Sequence, residues 1–200
     1  MPNFPSWNDL YAETPVERLP WFLPTLDPDF ARALAARQLA AGRVLDIGSG
    51  PGTQAIELAA QGFDVVGSDL SAAAVAGATK RAASAGQGRV RFVQDDILKS
   101  HLEGPFEAIF DRGCFHVLPP ECRSTYVRTV GHLLAPGGIL FLKCFSDQQP
   151  GSEGPYRLSP ADVRSAFGGA LDVLSIERTV FQGNVQPNPQ ALLCELRRAS

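Results

Sequence analysis

The sequence predicts an α/β protein built on a doubly wound sheet of seven mostly parallel strands. Short apolar segments alternate with helical segments from residue 43 to residue 168, which is typical of parallel strands joined by helices on both faces of a sheet. The last two apolar segments have no helix between them, which indicates an antiparallel hairpin at the sheet edge. The first 26 residues are rich in proline and large aromatic residues, which indicates an ordered N-terminal cap.

The element boundaries follow from capping residues and from the periods of the apolar positions. Asp27-Pro28 and Ser159-Pro160 each place a capping side chain before a proline, which is a helix start, and Gly42 is a helix stop. The predicted strands cover residues 43–47, 64–68, 90–94, 106–111, 139–145, about 171–181 and about 191–197. The predicted helices cover residues 7–12, 28–41, 53–60, 71–85, 121–134 and 160–167, with a turn at residues 136–138.

The bulk properties predict one domain over residues 1–200. We expect an N-terminal cap and helix in 1–41, a cofactor-binding core in 42–145, and a substrate-side loop, helix and hairpin in 146–200. The net charge of −3 argues against a nucleic-acid partner. We expect a cytoplasmic protein with no membrane partner, because residues 1–10 lack a signal-peptide pattern and no segment approaches the roughly 20 apolar residues that span a bilayer.

The four cysteines are not at metal-ligand spacing, so no metal is expected. The sequence leaves the oligomeric state open.

A glycine-rich turn follows the first core strand. Gly48, Gly50 and Gly52 come between this strand and a helix, where glycine permits a tight turn and the close approach of a ligand. Ligands of open α/β sheets bind beyond the carboxyl ends of the strands, so the turn, with Ser49, faces the expected site. The spacing is shorter than that of the dinucleotide fingerprint, and Asp46 would repel a pyrophosphate. A cationic amino-acid group fits this turn better, although a strand–helix turn without a ligand is the structural alternative.

Acidic residues follow the next two strands. Asp69 ends the second strand and is expected to accept hydrogen bonds from both hydroxyls of a ribose, although a helix-capping role is an alternative. Asp95 and Asp96 follow the third strand, and we favour Asp96 for an adenine amino group, with Ile97 against the ring. Two solvated loop acids are the alternative there. Leu70 and Asp111 complete the predicted cofactor-binding set.

These motifs, taken in order, resemble those of the class I methyltransferases, which bind S-adenosyl-L-methionine on a Rossmann-like sheet. The similarity covers about residues 42–145 and includes Leu134-Ala135-Pro136-Gly137-Gly138. The resemblance implies that Asp46 and the glycines lie at the methionine moiety, Asp69 at the ribose and Asp96 at the adenine.

A second set of motifs is similar to the thiopurine methyltransferase family, which also includes thiol, halide and tellurite methyltransferases. The motifs are Phe110-Asp111-Arg112-Gly113, Arg123-x-x-Tyr126, and Gly154 to Pro160 followed by Val163, Phe167 and Gly168, with Trp7 and Pro20-Trp21 in the cap. This resemblance implies a small-molecule acceptor with a soft nucleophile, such as sulfur.

Two residues are candidates for activating the acceptor. Arg112 would lower the pKa of a thiol by stabilising the thiolate, unless it forms a structural ion pair with Asp111 or Glu107. His116 is a candidate general base for an oxygen or carbon acceptor, or a partly buried structural histidine. Trp21, Phe115 and Tyr156 are predicted to line the substrate pocket, with core packing as the alternative.

Two further classes compete with a methyltransferase. A nicotinamide-dependent oxidoreductase is disfavoured by the glycine spacing, and a non-catalytic cofactor-binding module by the aromatic cap. Methylation of nucleic acid is disfavoured because Asp111-Arg112-Gly113-Cys114 follows the fourth strand in place of an Asn-Pro-Pro-Tyr-type motif.

Overall fold

In the computed structural model, which describes residues 6–200, all seven strands belong to one sheet of order β3-β2-β1-β4-β5-β7-β6. The part of the predicted cap in residues 1–5 lies outside the described residues. The strands are β1 Arg43–Ile47, β2 Asp64–Asp69, β3 Val90–Gln94, β4 Phe106–Arg112, β5 Leu134–Phe145, β6 Asp172–Val180 and β7 Gln190–Arg197. The α-helices are α1 Trp7–Glu13, α2 Pro28–Ala36, α3 Thr53–Ala60, α4 Ala72–Ser84, α5 Arg123–Leu133 and α6 Pro160–Phe167.

The sheet is parallel from β3 to β5, and β7 runs antiparallel to both of its neighbours, β5 and β6. The predicted doubly wound sheet with an edge hairpin is therefore confirmed. The chain reverses its winding direction at β1, which lies between β2 and β4, so the carboxyl ends of β1 and β4 form the crevice in which such sheets bind ligands.

Two apolar cores lie on the two faces of the sheet. Helices α2 and α3 pack on one face through Phe30, Leu34 and Leu58. Helices α5 and α6 pack on the other through Tyr126 and Phe167. Burial on both faces explains why the central strands read as nearly continuous apolar runs.

The structure differs from the sequence prediction at three places. Helix α2 ends at Ala36, well before Gly42, and Gln38 takes a left-handed conformation with a φ of 55°. The predicted turn at residues 136–138 lies inside β5, whose pairing with β4 shifts register between Phe106 and Ala108. The last strand of the hairpin, β7, is inserted between β5 and β6, so that β6 forms the edge.

Candidate active site

The glycine turn has the backbone that its composition requires. Gly48, Gly50 and Gly52 have φ angles of 62°, 48° and 76°, a region that residues with a side chain rarely adopt. A Cβ atom on Gly52 would lie 2.6 Å from the Phe92 ring and 2.7 Å from the Ala78 side chain. Gly52 is therefore needed for the packing of the turn against β3 and α4, whereas Gly48 and Gly50 face the crevice side, towards Cys114 and Tyr11.

Two buried polar atoms beside this turn have no hydrogen-bond partner within residues 6–200. They are the Oδ2 atom of Asp46 and the Oγ atom of Ser49. Burial, followed by the negative charges of Asp111 and Asp69, raises the pKa of Asp46 to about 8. Burying a carboxylate with a free oxygen is energetically costly when no ligand is bound. A cationic hydrogen-bond donor removes this cost, and a cationic group is what the sequence predicts for this position.

Asp69 lies at the carboxyl end of β2 and connects the turn to the next helix. Its Oδ2 atom accepts a hydrogen bond from the Gly50 amide at 2.8 Å, and its Oδ1 atom accepts one from the Ser71 amide at 2.9 Å. Burial raises the pKa of Asp69. Each carboxylate oxygen has a second lone pair, so Asp69 retains capacity for two hydroxyl donors. The adjacent Leu70 is 55% exposed, an unusual state for leucine at this edge of the sheet.

The acids after β3 have separate local roles. Asp96 accepts a hydrogen bond from the Leu98 amide at 3.0 Å and caps a short 3₁₀ turn that begins at the buried Ile97. Asp95 accepts one from the His101 amide at 2.8 Å, and its Oδ2 atom is buried without a partner among the described residues. Both carboxylates follow the carboxyl end of β3, which is the edge of the sheet predicted to face the cofactor.

Each carboxylate oxygen of Asp111 accepts two hydrogen bonds within the fold, which disfavours its predicted contact with a cofactor. One oxygen accepts the amides of Gly113 and Cys114, and the other accepts the Phe115 amide and the Tyr126 hydroxyl, at 2.5–2.9 Å. Burial raises the pKa of Asp111 to about 6 against the opposing effect of these donors. Asp111 therefore holds the loop after β4 in place.

His116 is buried and does not have the properties of a general base. Its Nδ1 atom accepts a hydrogen bond from the Phe145 amide at 2.9 Å, so the neutral ring carries its proton on Nε2. Burial, followed by the positive charges of Arg123 and Arg157, lowers the pKa of His116 to about 3. The hydrogen bond from the Phe145 amide disfavours the predicted role as a base, because Nε2 then carries the proton and is a donor, and the role itself stays a prediction.

Arg112 is also committed to the fold, with a partner that the sequence did not suggest. Its side chain is 8% exposed, and its Nε atom lies 2.7 Å from Asp27 rather than beside Asp111 or Glu107. Its other two nitrogens donate to the carbonyl oxygens of Trp21 and Gln182. Asp27 also accepts two hydrogen bonds from the buried Lys143. All three nitrogens of the guanidinium donate within the fold, which disfavours Arg112 for activating the acceptor, and that role stays a prediction.

The three aromatic residues predicted to line the pocket separate into two groups. Phe115 is fully buried against Tyr126 and Phe167, which favours the core-packing alternative over the predicted pocket role. Trp21 is half-buried in the cap, and Tyr156 is half-buried beside His116, whose carbonyl accepts the Tyr156 amide. Trp21 and Tyr156 thus remain available to a substrate.

Arg123, at the first residue of α5, is a functional candidate that the sequence reasoning had used only as part of a family motif. Its guanidinium lies 5.5 Å from the Phe115 ring centre and 5.1 Å from that of Tyr156. Its Nε atom is buried without a hydrogen-bond partner, and none of the ion pairs within residues 6–200 includes it.

Tyr11 is a second candidate that the sequence reasoning missed. A Cβ atom on Gly50 would lie 2.5 Å from the Tyr11 hydroxyl, so this side chain of α1 rests on the glycine turn. The spacing of Trp7 and Tyr11 by four residues, which puts both on one face of a helix, was the available signal.

The described residues contain neither a membrane-spanning helix nor a cluster of metal-ligating side chains. Within residues 6–200, no helix combines the length and the hydropathy needed to cross a membrane. The same residues contain no group of three or more histidine, cysteine, aspartate or glutamate side chains suited to a metal ion.

Comparison with known proteins identifies the family. Residues 44–138 match the model of a methyltransferase domain. The chain is 30% identical over 150 residues to the 2-heptyl-1-hydroxyquinolin-4(1H)-one methyltransferase of Mycobacteroides abscessus, covering 74% of this chain and 66%, just under two thirds, of that relative. It is 32% identical over 105 residues to an uncharacterized methyltransferase of Schizosaccharomyces pombe, covering 52% of this chain and 72% of that one.

Two further similarities extend over nearly the whole chain. Thiocyanate methyltransferase 1 of Arabidopsis thaliana is 27% identical over 188 residues, with coverage of 94% of this chain and 78% of that one. A solved structure reported for the conversion of a disulfide bond into a thioacetal group during echinomycin biosynthesis superimposes on this chain with a TM-score of 0.83. The sequence identity is 25%, and the match covers 96% of this chain and 91% of that one. The sheet order, the glycine turn with its free carboxylate and these matches agree, and the chain belongs to the class I S-adenosylmethionine-dependent methyltransferases, where it resembles the thiol methyltransferases.

Proposed function

We propose that this protein transfers the methyl group of S-adenosylmethionine to a small molecule that binds as a soft anion, with a thiolate as the preferred acceptor. The observation that carries the proposal is Arg123, a cation with a buried and unpartnered Nε atom among the described residues of the acceptor side. The similarity to thiocyanate methyltransferase and to other proteins named thiol methyltransferases supports the same acceptor class.

The cofactor end of the crevice fits S-adenosylmethionine. When bound, it supplies an electrophilic methyl group on a sulfonium. Asp46, with its free buried Oδ2 atom, is suited to the ammonium group of the methionine moiety, and the Ser49 hydroxyl is a further free polar group there. Asp69 retains lone pairs for the ribose hydroxyls, and the exposed Leu70 offers an apolar surface for the adenine. We keep Gly48, Gly50, Asp96 and Ile97 as predicted contacts.

The acceptor end contains donors and positive charge. Arg123 and the Nε2 proton of His116 both favour an anion. Arg157 adds a second positive charge, which contributes to the lowered pKa of His116. Arg157 itself donates to the carbonyl oxygens of residues 149, 150, 153 and 155, so it organises the loop before α6 and keeps its charge. A thiol bound beside these cations has its pKa lowered and reaches the thiolate without a base.

The chemistry of the step requires little more than alignment. Displacement at a sulfonium has a good leaving group, so the protein contributes mainly by orienting the acceptor and excluding water. Asp111 fixes the loop that carries His116, and Trp21 and Tyr156 are the aromatic surfaces left to enclose the acceptor. An oxygen- or carbon-directed enzyme that relies on His116 as a base is disfavoured, because the Nδ1 lone pair is already used.

We also propose a cytoplasmic protein that acts on small molecules and not on nucleic acid. The net charge of −3 supports this, since binding to a phosphate backbone favours a basic surface.

The test is a panel of acceptors assayed by the release of S-adenosylhomocysteine. The panel contains alkyl and aryl thiols, thiocyanate, halides, tellurite, simple phenols and a 1-hydroxyquinolin-4-one. We expect turnover of thiols, with kcat/KM rising with pH as the thiol ionises. Turnover of phenols with no turnover of any thiol, thiocyanate, halide or tellurite would contradict the proposal.

The role of Arg123 is tested with Arg123→Met, Arg123→Lys and the matched control Arg128→Met, which changes an exposed arginine of the same helix. We expect Arg123→Met to raise the KM for the thiol and to move the pH dependence of kcat/KM upward by about one unit or more. Arg123→Lys should restore part of both effects, and Arg128→Met should have neither. An unchanged pH dependence in Arg123→Met would show that Arg123 does not stabilise the acceptor anion.

A further inference from the structure

The cap contacts the cofactor turn through Tyr11. A Cβ atom on Gly50 would lie 2.5 Å from the Tyr11 hydroxyl. The Tyr11 and Trp21 rings meet edge to face, with centres 6.4 Å apart, and Trp7 packs against Trp21 at 6.0 Å. Helix α1 is held over the site from its other side by Asn8, whose Oδ1 atom accepts the Ala73 amide at the start of α4.

The groups around the Tyr11 hydroxyl are acidic. Burial raises the pKa of Tyr11, and the negative charge of Asp69 and Asp46 and the nearby Cys114 thiol add to this effect. Tyr11 therefore remains a neutral phenol at physiological pH. A neutral phenol keeps its proton and can donate it to a ligand. No acceptor for this proton is recorded within residues 6–200.

The glycine turn itself has few free donors. The amides of Ser49, Gly50 and Gly52 donate to Ser68, Asp69 and Ser49 respectively, at 2.8–2.9 Å. The methionine moiety of the cofactor carries an ammonium group and a carboxylate, and the carboxylate requires a donor. Asp46 suits the ammonium group, and the hydroxyls of Tyr11 and Ser49 are two side-chain donors that lie beside the turn.

We propose that Tyr11, whose ring packs against Trp21, is a positioning residue for the cofactor and that its hydroxyl donates a hydrogen bond to the carboxylate of the methionine moiety. The cap then has a function at the cofactor end in addition to enclosing the acceptor. This inference rests on the cofactor of the family and not on the proposed acceptor, so a wrong acceptor leaves it intact.

The test compares ligands with and without the carboxylate. S-adenosylhomocysteine and 5′-deoxy-5′-methylthioadenosine share the adenine, the ribose and the thioether, but only the first has the amino-acid group. Calorimetric titration of wild type and Tyr11→Phe with both ligands, and with S-adenosylmethionine, measures the difference. We expect Tyr11→Phe to weaken both amino-acid ligands about tenfold and to leave methylthioadenosine affinity unchanged.

A further variant provides the control for the loss of a phenol hydroxyl elsewhere in the site. Tyr156→Phe, which removes a hydroxyl on the acceptor side, should leave the affinity for both ligands unchanged.

Fluorescence gives an independent measure, because the two tryptophans of the chain, Trp7 and Trp21, are both in the cap. We expect S-adenosylhomocysteine to change their emission more strongly than methylthioadenosine does, and this difference should be lost in Tyr11→Phe. An equal loss of affinity for both ligands would show that Tyr11 only packs the cap. No loss for either ligand would also overturn the proposal.

Discussion

The polar residues at the two ends of the crevice differ in how far the fold itself satisfies their hydrogen-bonding groups. At the cofactor end, formed by β1 and β2, Asp46 and Ser49 keep buried atoms without partners, and Asp69 keeps lone pairs. At the acceptor end, formed by β4 and β5, Asp111 and Arg112 have used their hydrogen-bonding groups within the fold. A functional motif can thus supply ligand contacts in one half of a site and loop-holding contacts in the other.

The difference has a physical cause. The cofactor end is built on a tight strand–helix turn whose backbone fixes the site, so its side chains can be left free for a ligand. The acceptor end is built from longer loops and the cap, which need their own hydrogen bonds to remain ordered. The three predictions that follow test this difference, from the largest expected effect to the smallest.

Arg112→Met should affect stability far more than it affects the activation of the acceptor. It leaves the buried Asp27 carboxylate without one of its two cations and releases the Trp21 and Gln182 carbonyl groups. Breaking a buried ion pair from one side costs about 3–5 kcal/mol, which corresponds to a fall in Tm of about 10 °C. Differential scanning calorimetry measures the loss, with Lys80→Met, an exposed lysine of α4, as the control.

The folded fraction of Arg112→Met, assayed below its Tm, should keep the wild-type pH dependence of kcat/KM for a thiol. A shift of that dependence with an unchanged Tm would mean that Arg112 activates the acceptor after all, and that the two ends of the crevice are alike.

Asp46→Asn should weaken the binding of S-adenosylmethionine about a hundredfold while stabilising the free protein. The folded state raises the pKa of Asp46 to about 8, so ionisation of this group disfavours folding as the pH rises from about 4 to 8. The variant lacks this penalty, and its Tm in the absence of ligand should exceed that of wild type at pH 8 but not at pH 4.

Titration calorimetry and thermal melts at the two pH values measure both effects of Asp46→Asn. A lower Tm at pH 8 with unchanged affinity would assign Asp46 to the fold, as at the acceptor end.

His116→Asn should have the smallest effect on the rate. The asparagine oxygen can accept the Phe145 amide in place of Nδ1, and the loss of a general base, worth about a hundredfold to ten-thousandfold in rate, is not expected. We expect kcat to change less than about fivefold in assays from pH 5.5 to 8.5. A hundredfold fall that grows towards high pH, where a histidine base is deprotonated, would restore His116 as a base.

The same variant has a consequence for acid stability. Because the fold lowers the pKa of His116 to about 3, protonation below about pH 6.5 favours the unfolded chain, and wild type should lose stability as the pH falls. His116→Asn should lose less over the same range, which denaturation curves at pH 7 and pH 5 would measure.

The order of strands and helices was predictable because each signal is local. The start of α6 at Ser159-Pro160 and the start of α2 at Asp27-Pro28 lie where the sequence predicts them. The end of α2 was not predictable in this way. The glycine at residue 42 is a strong helix-stop signal, whereas Gln38, which takes the left-handed conformation, is not such a signal. The insertion of β7 between β5 and β6 is a long-range choice that no local pattern encodes.

By itself, the sequence determined the fold class and the family, and it predicted the glycine turn, because glycines at fixed spacing are constrained by the backbone around them. The hydrogen-bond partners of the arginines depended on the tertiary structure. Whether an arginine is free depends on what lies within hydrogen-bond distance of it, and Asp27 is 85 residues from Arg112 in the chain. The sequence favoured Arg112, but the structure pairs Arg112 with a buried carboxylate and leaves Arg123 outside the ion pairs of residues 6–200, with a buried Nε atom that has no partner there.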